Sequence, residues 1–303
     1  MSKNLLVVGG TGFIGKHLAL RAIKKGFNTQ ILSLNEQPLK NRVEGANYIT
    51  CDVSNYLELK EKIPQQIEYV VNLSGYIDHS AFKKGGSNII DTHFGGTQNI
   101  LKLIDWKNLK RFIQIGSSDE YGNNPAPQTE DMPSRPISPY SFGKSASAEL
   151  LQMLNRNESF PAVILRLFLV FGPGQDKKRF IPQIIEGCLS DSIFPVSAGN
   201  QLRDFCYIEN IIDGIFLSME IDDANGHIIN LGSGNPISIR NVIDLIKKEI
   251  GFGKPEFGKV PYRFDENMKL YADISKAKKI LGWKENVNFE EGIRNTIEFY
   301  RKI

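Results

Sequence analysis

Tyr140-Ser141-Phe142-Gly143-Lys144 sets a phenol and an ammonium four residues apart. On a helix that spacing puts both side chains on one face. Ser138 suits the N-cap and Pro139 the first helical position, so the pair belongs near the start of a helix. A phenol with an ordinary pKa of about 10 moves protons poorly at neutral pH, and a nearby ammonium favours the phenolate and lowers that value. Such a pair could take or return the proton of an alcohol as it is oxidised or re-formed. A lysine stem lying along an apolar surface beside a tyrosine would leave the same letters. Gly116-Ser117-Ser118 closes the apolar run Phe112 to Ile115. A serine at the carboxyl end of a strand stands where ligands bind in open α/β sheets, and its hydroxyl can orient a substrate oxygen.

A second group of residues suits phosphate. Gly9-Gly10-Thr11-Gly12-Phe13-Ile14-Gly15 joins the apolar run Asn4 to Val8 to a helical pattern. Gly9 permits the tight turn, Gly12 lets backbone approach a pyrophosphate, and Gly15 allows close helix packing. The free N–H groups and positive dipole end of the following helix favour the anion. The end of the second strand should carry an acid if NAD ribose is to be gripped. Ser33 stands there, followed by Leu34 and Asn35, with no carboxylate before Glu36. Lys40 and Arg42 come soon after, which favours NADP(H) over NAD(H), unless both are solvated loop charges.

The elements that must hold these groups alternate. Strands are predicted at Asn4 to Val8, Asn28 to Leu34, Ala46 to Cys51, Glu68 to Leu73, Arg111 to Ile115 and Ala162 to Leu167. Helices are predicted at Phe13 to Lys25, Leu57 to Ile63, Ile89 to Asp105 and Pro139 to Leu154. This rhythm gives right-handed crossovers and an α/β fold: a Rossmann-type doubly wound parallel sheet. Five prolines between Pro125 and Pro139 make that stretch a loop. Past Gly172-Pro173-Gly174 the pattern turns shorter and mixed, with helical runs at Phe180 to Leu189, Ile208 to Met219, Ile239 to Ile250, Ser275 to Leu281 and Phe289 to Tyr300. The expected organisation is a dinucleotide-binding domain over 1–170, joined by about 204–225, and a smaller mixed α/β substrate domain over 171–303.

Composition sets outer bounds. Of 303 residues, 41% are hydrophobic and 23% charged, as in an ordinary globular chain. A net charge of +3 over this length is no nucleic-acid footprint. The cluster Lys177-Lys178-Arg179 reads as a solvated face. Three cysteines without CxxC spacing and four scattered histidines give neither a disulfide framework nor a metal site. The longest apolar stretch, Ala162 to Phe171, contains Arg166 and falls short of a membrane span. A soluble cytoplasmic protein is expected.

With these parts in order, the sequence resembles an extended short-chain dehydrogenase/reductase of the sugar-nucleotide epimerase/dehydratase/reductase family. The resemblance covers nearly the whole chain. It rests on the glycine motif, Cys51-Asp52-Val53, Asn72-Leu73-Ser74-Gly75, Phe112 to Gly122, the Tyr140–Lys144 pair and Arg166 to Gly174. Gln201-Leu202-Arg203-Asp204-Phe205, Val260-Pro261-Tyr262-Arg263, Ile274-Ser275-Lys276-Ala277 and Leu281-Gly282-Trp283 extend it to the C-terminal end. It implies catalytic roles for Ser117, Tyr140 and Lys144. It implies cofactor contacts at Gly9, Gly12, Phe13, Ile14, Gly15, Ser33, Asn35, Arg42, Asp52, Val53, Leu73, Ser74 and Gly75, as well as at Tyr140 and Lys144. Ser118, Asp119, Arg203 and Arg263 would meet a nucleotide-diphosphate sugar, the arginines because guanidinium forks match phosphate oxygens.

Departures from the family pattern narrow the reaction. Dehydratases carry an Asp-Glu pair after the catalytic hydroxyl, and Ser118-Asp119 stands there instead, which disfavours dehydration. His93 and Leu169 occupy two places where asparagine is common, and His93 is read as packed rather than hydrogen-bonding. The run Gly116 to Gly122 resembles reductases of 4-keto-6-deoxy sugars. With Ser33 this favours NADPH-dependent ketone reduction, with an NAD-dependent 4-epimerase as the alternative. A non-catalytic dinucleotide-binding module is a further alternative, weakened by the intact Tyr140–Lys144 pair. The resemblance also implies a homodimer through the Tyr140 helix and the helix before it, where Gly95, Gly96, Ala146 and Ala148 are small.

Overall fold

The computed structural model describes residues 3–262 and 266–302. Six of its strands match the predicted ones in order: β1 (Asn4–Val8), β2 (Asn28–Ser33), β3 (Asn47–Thr50), β4 (Tyr69–Asn72), β5 (Arg111–Ser117) and β6 (Ala162–Leu167). They lie in the order β6-β5-β4-β1-β2-β3, each parallel to its neighbour, and a seventh strand, Ile228–Leu231, pairs with β6. The chain fills one side of β1 and then crosses to the other. The carboxyl ends of β1 and β4 therefore flank the crevice where such a sheet binds ligands. Alternate residues feed two cores. Leu5, Val7, Ile31, Val71 and Ile113 face one layer of helices, whereas Leu6, Val8, Leu32, Val70 and Phe112 face the other. Burial on both faces explains why these strands read as unbroken apolar runs.

The seventh strand is absent from the predicted set because Asn230 interrupts a short apolar run. That asparagine is buried and satisfied: its Oδ1 accepts from the Tyr121 hydroxyl at 2.7 Å and its Nδ2 donates to the Gln128 carbonyl at 3.0 Å. Glycine shapes the turn after β1. Gly9 has φ +74°, and a Cβ there would lie 2.8 Å from the Leu73 carbonyl oxygen. At Gly15, inside α1 (Phe13–Lys24), a Cβ would lie 2.5 Å from the Cα of Gly10. Its close packing is therefore against the loop rather than the sheet.

The helix predicted at 89–105 is not continuous. It runs as Gly86–Ile90, a π-helical turn Asp91–Gly95, and then Gly96–Leu103. The helix that carries Tyr140 and Lys144, Pro139–Glu158, starts as expected, with Ser138 accepting from the Ser141 N–H and Ser141 reaching back to the Ser138 N–H. Helix Ile208–Glu220 returns to the first layer and ties to α1 through Arg21 and Asp213 at 2.7 Å. Helices Phe180–Leu189, Ile239–Ile250 and Phe289–Arg301 and several short strands form the smaller lobe. The proline-rich loop is stitched to that lobe, since Gln128 exchanges hydrogen bonds with Tyr271 and Asp273. Among the described residues no helix is long and apolar enough to cross a membrane.

Candidate functional site

A cavity of about 880 Å³ follows the carboxyl ends of β1, β2, β4 and β5. One end is walled by Gly9, Gly12, Phe13, Ile14, Gly15, Ser33, Asn35, Asp52 and Val53, and the middle by Leu73, Ser74 and Gly75. The other end carries Ser117, Ser118, Asp119, Tyr140 and Lys144. Two predicted residues lie elsewhere, and a third falls outside the described residues. Arg42 is held off the cavity, with Nε donating to the Gln37 carbonyl at 2.8 Å, its guanidinium 5.1 Å from the Tyr48 ring centre, and Glu36 at 3.6 Å. Arg203 lines an adjoining cavity of about 720 Å³ that shares Leu169, Phe180 and Phe205 with the first. Arg263 lies outside the described residues.

The first end fits a dinucleotide. A side chain at Gly12 would stand in open cavity, its Cβ meeting nothing nearer than the Gly9 carbonyl oxygen at 3.5 Å. Backbone is thus exposed where the first turn of α1 leaves N–H groups without intrahelical partners. Ser33 is buried and its hydroxyl donates to the Asn35 carbonyl at 3.0 Å, and Asp52 accepts from the Ser54 N–H and hydroxyl at 2.9 and 2.7 Å. The lysine and arginine of the cavity wall are Lys144 and Arg179, and both belong to the other end: Lys144 borders β5 and the charge of Arg179 acts on Tyr140. Lys177, Lys178 and Arg179 are all exposed, as their sequence cluster suggested, and Arg179 also borders the cavity.

At the second end the sequence reading needs correction. Tyr140 is 5% exposed, and its phenol is raised from its ordinary value, not lowered. Burial dominates, and the Asp119 carboxylate adds to it. A hydrogen bond with the Ser117 side chain pulls the other way. The Lys144 ammonium donates to the Ile115 carbonyl at 2.8 Å, and its burial pushes it down to about 8, opposed by the Glu120 charge. Desolvation outweighs the Ser117 hydrogen bond and the Arg179 charge at the phenol, and it disfavours the charged forms of both Tyr140 and Lys144.

Ser117 owes its place to a carboxylate that sequence alone left undirected. Glu120 accepts from the Ser117 N–H at 2.8 Å through one oxygen and pairs with Arg166 Nε at 2.9 Å through the other. Both partners are buried, and the Arg166 guanidinium covers the Tyr121 ring at 4.6 Å. Glu120 faces away from the cavity and fixes the turn that presents Ser117, Ser118 and Asp119 to it. No local pattern announces this, because the partner lies on β6.

His93 is packed, as expected, and also hydrogen-bonded. Its Nε2 lies 3.2 Å from the Tyr76 carbonyl, so that nitrogen must carry the proton, and its ring meets Tyr140 edge-on at 5.1 Å. A Cβ on Gly75 would lie 2.0 Å from this ring, which makes glycine obligatory there. Burial, aided by the Lys144 charge, pushes His93 down to about 3, so it is neutral near pH 7. A polar spine backs these residues. Asn72 Nδ2 reaches Thr97 at 3.1 Å and Gln114 at 2.9 Å, while the Thr97 and Ser147 hydroxyls both donate to the His93 carbonyl. His79 also lines the cavity near Tyr140 and was not anticipated from sequence.

In the adjoining cavity Arg203 forms an ion pair with Glu266 and donates to the Leu202 carbonyl at 2.9 Å. Its neighbour Asp204 is structural: buried, it accepts from the N–H groups of Ser233, Gly234 and Ala272 and from the Ser233 hydroxyl.

Comparisons with known proteins agree with this geometry. A Methanocaldococcus jannaschii protein, named provisionally as a UDP-glucose 4-epimerase, is 30% identical over 98% of each chain. The crystal structure of UDP-glucose 4-epimerase from Thermotoga maritima with UDP-glucose superposes with a TM-score of 0.90 at 26% identity, covering 99% of both chains. The Bacillus cereus UDP-glucuronic acid 4-epimerase, in complex with UDP-glucuronic acid and NAD, gives 0.85 at 27% identity and the same coverage. Residues 5–232 match the model of the NAD dependent epimerase/dehydratase family. The chain belongs to that family, the extended short-chain dehydrogenase/reductases acting on nucleotide sugars.

Proposed function

We propose that this protein is an NAD-dependent 4-epimerase of a uridine-diphosphate sugar. The observation that carries the reading is one continuous cavity joining the glycine-loop cradle to Tyr140, Ser117 and Lys144. Bound with its ring beside Tyr140, the nicotinamide would supply the acceptor for a sugar hydride and then return it. Tyr140 exchanges the proton of the C4 oxygen, Ser117 orients that oxygen, and Lys144 keeps a positive charge beside the pair from its anchor on Ile115. Tyr140, Ser117 and Lys144 are each buried, which limits the water that reaches the proton's path.

Two observations favour the epimerase over the NADPH-dependent ketone reductase, which ranks first on sequence. With Arg42 tied to Gln37 and Tyr48, neither Lys40 nor Arg42 lines the cavity beside Ser33. NAD is accordingly the proposed cofactor. The three relatives described above are also named as 4-epimerases of uridine-diphosphate sugars. Ser117, Ser118, Asp119 and Arg203 are proposed to hold the sugar nucleotide, with Ser33, Asn35, Asp52 and Val53 at the adenosine end. A homodimer through the outer face of Pro139–Glu158 completes the proposal, since Phe142 and Met153 are exposed there. The small residues divide: Ala148 is buried and a Cβ on Gly96 would strike Val53, whereas Gly95 faces open space.

The test is interconversion at C4 of uridine-diphosphate sugars, followed by NMR. Tyr140→Phe should cut turnover by about 10²–10⁴-fold while sugar-nucleotide binding by calorimetry persists. Undiminished turnover in Tyr140→Phe would remove the assigned role.

A further inference from the structure

The two cavities meet at an apolar neck. Leu169, Phe180 and Phe205 line both cavities, and among the described residues no other side chain does. The neck is built from separate elements. Leu169 on strand Leu169–Phe171 and Phe205 on strand Phe205–Tyr207 are direct partners across two parallel strands, so their side chains share one face. The Leu169 N–H donates to the Asp204 carbonyl at 3.0 Å, which holds that register. Phe180, at the start of helix Phe180–Leu189, stacks on Phe205 with ring centres 5.9 Å apart. Phe205 is buried, whereas Leu169 is 37% exposed and offers its side chain to whatever passes. Charged side chains line one cavity or the other. Asp119, Asp176 and Arg179 border the first, where Lys144 is committed to the Ile115 carbonyl. Arg203 and Glu266 border the second and pair with each other.

A sugar nucleotide that brings C4 to Tyr140 and its diphosphate to Arg203 must lay its pyranose ring across this neck. Two arcs of the ring join C4 to C1. One carries the C2 and C3 hydroxyls, and the other carries the ring oxygen and C5 with its C6 substituent. The hydroxyl-poor arc suits the apolar neck, and the hydroxyl-bearing arc suits the wall of Ser117, Ser118 and Asp119. The C6 group then meets Leu169. A methyl or hydroxymethyl group packs there without charge, and a single hydroxyl can turn to water. A carboxylate would lose its hydration against three apolar side chains with no cation in the neck to pair it. We infer that the neck selects on charge at C6: the protein takes a uridine-diphosphate hexose whose C6 is neutral and rejects the hexuronate, with Leu169 as the deciding residue. The inference deepens the proposed function and rests on it, because that reading places the ring between Tyr140 and Arg203.

The experiment offers the protein, as purified, UDP-glucose, UDP-6-deoxyglucose and UDP-glucuronic acid, and reads C4 interconversion by NMR and affinity by calorimetry. The kcat/KM for the glucuronate should fall about a hundredfold or more below that for the glucose, as for a charge desolvated without a partner. The 6-deoxy sugar should stay within about tenfold of the glucose, because an apolar pocket separates a hydroxyl from a hydrogen only weakly. Leu169→Arg sets a guanidinium in the neck and should narrow the glucose-to-glucuronate ratio by about tenfold, through a charge-assisted pair with the carboxylate. Leu169→Lys replaces it if the arginine variant does not fold. A glucuronate handled within about tenfold of the glucose, the margin an uncharged change would give, overturns the proposal. An unchanged ratio in the Leu169 variants overturns the assignment to that residue. Turnover of none of the three sugars counts against the epimerase reading alone, and the ratio of affinities then decides the neck by the same criterion. Binding of none overturns both.

Discussion

Tyr140 and Lys144 show how burial reverses an expectation drawn from spacing. Four residues on a helix do bring the pair to one face, yet each sits in so little water that its charged form is disfavoured. For Lys144 the folded value of about 8 lies below the ordinary 10.5. A lowered base costs the fold stability while it is charged. That cost is complete below about pH 8 and fades as pH rises towards the unfolded value. Thermal melts of Lys144→Met should therefore show its stability relative to the parent highest below about pH 8 and declining above it, although turnover is lost. A gap that widened with rising pH would contradict the assignment. Arg42 gives a second prediction. Because Gln37, Tyr48 and Glu36 hold it off the cavity, Arg42→Ala should change the ratio of NAD to NADP affinity by less than about threefold, within the small effects usual for exposed ion pairs. Fluorescence titration with each dinucleotide reads this.

Much of the element layout was legible because local chemistry and tertiary role coincide. Val7 and Val8 face opposite cores, so β1 reads as a buried strand. Gly9 and Gly15 mark a turn that tolerates no side chain. Ser138 and Pro139 announce a helix start that the structure reproduces. What was not legible depends on partners distant in sequence. Nothing near Glu120 points to Arg166, and nothing near Asn230 points to Tyr121. The π turn at Asp91–Gly95 carries no local signal either, yet it places His93 between Gly75 and Tyr140. The Glu120–Arg166 pair locks the turn after β5 to β6. Arg166→Met would leave Glu120 buried and uncompensated, at a cost of about 3–5 kcal/mol. Chemical denaturation should show that loss, with the double variant Glu120→Gln/Arg166→Met recovering part of it. A loss below about 1 kcal/mol would mean the pair behaves as an exposed one.

The whole molecule joins two lobes along the cavity, and Asp204 is a principal rivet. Its carboxylate gathers four donors from the segments that follow Leu231 and precede Ser275. Asp204→Ala would strand these buried donors, and proteolysis should then release the smaller lobe before the sheet core unfolds. The proposed homodimer is tested by light scattering at micromolar concentration. Phe142→Asp with Met153→Glu should convert a dimer to a monomer, since both change exposed apolar positions on the same helix. The measurement that bears most directly on the central claim is the cofactor carried through purification, identified by mass spectrometry after denaturation, together with turnover of a uridine-diphosphate sugar without added dinucleotide. A 4-epimerase that returns the hydride it takes predicts about one NAD per chain and a C4 epimer formed with no external cofactor. A protein that binds exchangeable NADPH instead, forms no epimer and consumes that NADPH with a 4-keto sugar would contradict it, and would restore the ketone reductase.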